Sequence, residues 1–67
     1  MSQSNSVSVA AASVSELATF LERVHAELSP GFSSSIGMDL RSAVKSLKEA
    51  SLSLQFAAAG LKHEEAK

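Results

Sequence analysis

The apolar positions of the chain form two helical stripes separated by one turn-rich break. Val14, Leu17, Leu21, Val24 and Leu28 recur at three and four residues, the spacing of one face of an α-helix, and Phe20 widens that stripe. Farther on, Leu40, Leu47, Leu54 and Leu61 return every seventh residue, with Ile36, Ala43, Ala50 and Ala57 at the neighbouring seam position. Beside them runs a lane of small side chains: Ala43, Ser46, Ala50, Ser53, Ala57 and Gly60. This coiled-coil-like lane is assigned to the contact with the first helix, where small residues permit close approach; the alternative is a surface for a second copy. The break is Ser29-Pro30-Gly31, where proline lacks a donor and disfavours helix for the residue before it. A short connection between two amphipathic helices makes them antiparallel neighbours. The fold class predicted is therefore all-α: an antiparallel two-helix hairpin that associates into a helical bundle, as a homodimer or with a partner protein. Leu21, Val24, Leu47 and Leu54 are expected to be the most central side chains.

Boundaries follow from local signals. Ser13 and Glu16 match the S-x-x-E capping box, which predicts a helix start at Ser13. Residues 1–12 are uncharged and rich in Ser, Ala and Val, so they read as a flexible leader or the frayed start of helix one. The second option arises because Val7 and Ala10 carry the apolar spacing back toward Ser6. A strand over Val7–Val9 would have nothing evident to pair with. Residues 1–5, polar and outside any heptad, are expected to be dispensable. Helix two begins between Ser35 and Asp39, with the earlier start preferred because Ile36 then joins the seam. Phe32 is expected to fold back over the loop end of the hairpin. The hairpin proper spans 13–63 and the charged residues 64–67 form a frayed tail.

A helix running only from Val14 to Leu28 would cover half of its partner at 1.5 Å per residue. The uncovered part, Leu52 to Leu61, is the most apolar stretch of the chain, and Leu52 and Phe56 lie off the leucine seam. Length sharpens this. A chain of 67 residues buries only about 60% of its unfolded surface, and ordering it costs about 1.5 kcal/mol per residue. Much of the 45% hydrophobic content is alanine, and the chain has no cysteine, so no disulfide staples the fold and the commoner structural zinc sites are removed. Association is the remaining remedy. The candidate protein-interaction residues are Leu52, Phe56, Ala59 and Leu61.

Candidate chemistry adds little. Glu22 and His25 have the Glu-x-x-His spacing of di-iron bundles, but such a centre needs inward carboxylates from the facing helix, where Asp39 and Glu49 lie off the seam. The serines occupy caps, turns and the small lane, His63 lies in the charged tail, and Gly31, Gly37 and Gly60 are too scattered for a phosphate loop. No catalytic residue, cofactor, metal or small-molecule substrate is expected, and the chain is not expected to be an enzyme. Net charge is −1, yet Arg41, Lys45, Lys48 and Lys62 fall along one strip of helix two. They are the candidate contacts of an alternative reading, a dimeric helical-bundle regulator that binds nucleic acid; six basic residues and the absence of Tyr and Trp disfavour it. Helix one carries Glu16, Glu22 and Glu27 against Arg23, so the basic strip also has an acidic neighbour to face. The amino terminus lacks the positive start and apolar core of a signal peptide, and Ala50–Leu61 is too short to cross a bilayer. A cytoplasmic, non-enzymatic interaction module is the expectation.

Overall fold

The computed structural model describes residues 2–28, 31 and 34–66. Two helices, α1 (Gln3–Leu28) and α2 (Ser34–Glu65), lie against each other as a hairpin with no strand among the described residues. The all-α two-helix hairpin expected from the sequence is the architecture observed. Pro30 and Phe32, cast as helix stop and plug, lie outside the described residues.

The start of α1 corrects the sequence reading. Helix begins at Gln3, and Ser13 is an exposed residue in its interior. The true cap is Ser2: its Oγ accepts the Asn5 amide at 3.1 Å, and the Ser6 amide reaches the Ser2 carbonyl at 3.1 Å. Serine-rich turns have poor helix propensity, but here packing overrides it, because Ser4 and Ala11 are buried against α2. The longer α1 also removes the expected length mismatch. At the far end Gly31 closes the helix, its amide donating to the Leu28 carbonyl at 2.6 Å. α2 includes Gly37 and Met38, which excludes the late start at Asp39.

The centre of the contact is made of small residues. Ser4, Ala11 and Ala18 on α1, spaced by sevens, and Gly37, Ser51 and Ala58 on α2 are the buried positions, with half-buried Val44 midway between Gly37 and Ser51 on the same lane. Their backbones approach closely enough for the buried Ser51 Oγ to donate to the Ala11 carbonyl at 3.1 Å. Gln55 Nε2 in turn donates to Ser51 Oγ at 3.4 Å. Val7, Val14 and Leu21, with Leu40, Leu47, Leu54 and Leu61, flank this lane and are half-buried. No large side chain is fully buried, so the expected central residues Leu21, Val24, Leu47 and Leu54 border the contact instead of filling it. The other small lane is not the seam: Ser46, Ala50, Ser53, Ala57 and Gly60 are exposed, and a Cβ built on Gly60 meets nothing within 4 Å.

Candidate interaction surface

At about 100° per residue, the leucine lane lies on one side of the buried lane, and Ile36, Ala43, Ala50 and Ala57 lie one step farther round the same way. On α1 the equivalent residues are Val7, Val14, Leu21 and Leu28, then Ala10, Leu17 and Val24. Opposed helices running antiparallel bring equivalent flanks to the same side. The hairpin, 53 Å long, 16 Å wide and 10 Å thick, is therefore a two-faced plate. One broad face collects these apolar lanes. Apart from Gln3 and Glu64 at the open end, the lanes hold no polar side chain. Leu17 is 49% exposed and Ile36 48% exposed, and Ala10, Ala50 and Ala57 are exposed with them.

The opposite face carries the charge on its inner lanes, while its outer lane on α2 holds Met38 and Leu52, 66% and 52% exposed, beside Lys45. Lys48 Nζ and Glu22 Oε1 make an ion pair across this face at 3.2 Å, between side chains that both remain largely exposed. Such a pair contributes only ~0.2–1 kcal/mol, enough to favour this flank for charge. Near the open end an apolar-floored, open groove of about 560 Å³ is lined on this face by Ser4, Ser8, Gln55, Ala58, Ala59 and Lys62, among others. At its end Glu65 accepts hydrogen bonds from the Ser4 amide (3.1 Å) and the Ser4 hydroxyl (2.6 Å). The Ser4 hydroxyl, then the Ser4 amide, hold the Glu65 carboxyl below the usual carboxylate range.

The four residues expected to form an interaction site do not share one surface. Leu52 and Phe56, 52% and 69% exposed, sit on the outer back of α2, off the leucine seam as their spacing predicts. Ala59 is on that back too, at the rim of the polar groove. Leu61 is half-buried in the leucine lane, on the other side of the helix. Arg41, Lys48 and Lys62 lie on the polar flank with Lys45 beside them, interrupted by Leu52, Gln55 and Ala59, and Lys48 is engaged by Glu22 at 3.2 Å. Leu17, Ile36, Ala50 and Ala57, whose periodicity predicts the inside of the hairpin, are exposed on the broad face.

Glu22 and His25 open toward Arg41 and Val44, which together line a pocket of about 200 Å³. The facing helix thus supplies a cation and an apolar side chain where a metal centre would need carboxylates. Among the described residues no three of His, Asp and Glu gather as a metal site, and no helix is long and apolar enough to cross a membrane. Comparison with known protein families, with curated proteins and with solved structures gives no match to this chain.

Proposed function

We propose that the protein is a small non-enzymatic interaction module of the cytoplasm, and that it binds another protein or a second copy of itself through the broad apolar face of the hairpin. The observation that carries this reading is the half-exposure of Leu17 and Ile36 on a face whose lanes are charge-free until Glu64. Contiguous exposed apolar surface of this kind marks association sites. A non-catalytic role is supported by the surroundings of the titratable groups: Glu22 pairs with Lys48, and Glu65 is taken up by Ser4.

The test is association, of any kind, measured with Leu17→Asp beside the wild type by sedimentation and by chemical crosslinking in a cell lysate. Loss of a wild-type complex in the variant is the expected result. A helical wild-type monomer with no Leu17-dependent partner would overturn the reading. A second reading, nucleic-acid binding through Arg41, Lys45, Lys48 and Lys62, is favoured by their placement around the polar flank. It requires affinity that falls steeply with salt, since phosphate contacts release counterions.

A further inference from the structure

The apolar face raises the question of what covers it, and three features answer together. The first is surface. A compact monomer of 7.0 kDa exposes about 4,000 Å², whereas this hairpin exposes 4894 Å², an excess of about 900 Å². That excess is close to the ~800 Å² that each partner contributes to a standard stable interface. The plate itself, 53 by 16 Å, offers a face of the same size.

The second feature is charge. Laying this face on its own copy brings no like charges together along its length, because its lanes are uncharged up to Glu64 at the open end. The third is shape. On the outer lanes of the face α1 offers Leu17 and Val24 along its middle and Ala10 toward the open end, whereas α2 offers Ala43, Ala50 and Ala57 there and Ile36 near the loop. A two-fold axis that lays α1 of each copy over α2 of the other sets large on small twice, as an isologous contact requires.

We propose that the occupant of the apolar face is a second copy of this chain, related by such a two-fold, so that the working unit is a four-helix bundle with both loops at the same end and both polar faces outward. This inference rests on the reading of that face as an interaction surface and names its partner. The back of α2, with Phe56, then stays outside the bundle.

Analytical ultracentrifugation over a concentration series gives the mass, and spin or dye labels on Ser34→Cys, in a chain that has no other cysteine, give the loop-to-loop distance. A dimer is expected, with labels no farther apart than the combined width of two hairpins. Leu17→Asp is expected to weaken it by at least about tenfold, as loss of a central apolar contact does, while Phe56→Asp leaves the mass unchanged. Circular dichroism separates dissociation from unfolding, and an unfolded Leu17→Asp chain beside an intact Phe56→Asp dimer supports the same face. A wild type that stays a helical monomer at high concentration overturns the second copy as occupant; Leu17-dependent capture of a different protein would then leave the interaction reading standing. Dissociation by Phe56→Asp, or indifference to Leu17→Asp, overturns the face. Labels separated by nearly the 53 Å length of the hairpin overturn the pairing of α1 on α2.

Discussion

Glu65 and Ser4, 61 residues apart in sequence, clasp the two ends of the chain: one carboxylate takes both the amide and the hydroxyl of the serine, at 3.1 and 2.6 Å. The carboxylate sits at the positive end of α1 and satisfies an amide that no preceding turn can reach. Because these bonds lower the pKa of Glu65 in the folded state, its contribution is present above the unfolded value of about 4.3 and is lost as pH falls through the folded value. Thermal melts between about pH 7 and pH 3 should therefore show a steeper loss of stability on acidification for the wild type than for Glu65→Gln. Parallel slopes for the two proteins would show that the clasp carries no stability.

Removing residues 2–5 should lower the melting temperature, contrary to the expectation from polarity alone. The deletion takes away the Ser2 cap and the buried Ser4. Loss of a cap by itself costs about 1 kcal/mol. A control deletion is unnecessary if Ser2→Ala and Ser4→Ala, measured by urea denaturation, together account for most of the effect.

Ala18→Leu and Ala50→Leu should behave oppositely, although both enlarge an alanine on an apolar lane. Ala18 is 2% exposed in the centre of the seam, so a leucine there would force the helices apart at a cost of about 1–3 kcal/mol. Ala50 is exposed on the broad face, so the hairpin itself should tolerate the leucine. Helicity and midpoint by circular dichroism on both variants check this, at a concentration low enough to separate folding from association.

Gly31→Ala should destabilise the turn. A Cβ at this position would lie 2.9 Å from the Leu28 carbonyl oxygen, a backbone atom that cannot move without opening the Gly31–Leu28 hydrogen bond. A loss of about 1 kcal/mol is expected, read from the same urea midpoint. An unchanged midpoint would mean that the turn relaxes freely.

The hairpin was legible because Leu40, Leu47, Leu54 and Leu61 repeat by sevens and because Ser29-Pro30-Gly31 interrupts the chain. The pairing of acidic with basic residues was legible too, and Glu22 does meet Lys48. The seam was misplaced because hydrophobic scoring seeks the largest side chains, whereas close helices bury the smallest. The signal was present: Ser4, Ala11 and Ala18 keep seven-residue spacing on one helix, and on the other Gly37, Ser51 and Ala58 fall on one heptad lane that Val44 interrupts. Leu17 and Val24 were placed inside for the same reason. The capping box at Ser13 misled because a local motif cannot see that Ser4 and Ala11, upstream of it, have a partner helix to lie against. Exposure of Leu52 and Phe56 followed from spacing alone, but which broad face is apolar depended on where the buried lane fell.

Apart from half-buried Val44 and His25 toward the loop, the seam lanes hold alanine, serine and glycine and have few protrusions to interlock. Sliding one helix past the other by a heptad, about 10 Å, would set Val44 where Gly37 or Ser51 now packs and would have to be absorbed by the short connection between Leu28 and Ser34. Two directional bonds that do not repeat reinforce the alignment: Ser51 to the Ala11 carbonyl near the middle and Glu65 to Ser4 at the end. A slipped hairpin would set the Glu65 carboxylate beside Ala11 or beyond the end of α1, and the Ser51 hydroxyl opposite a different carbonyl. The two polar pins thus act as index marks at the middle and the open end of the seam, and losing both would loosen the register there before it melted the helices.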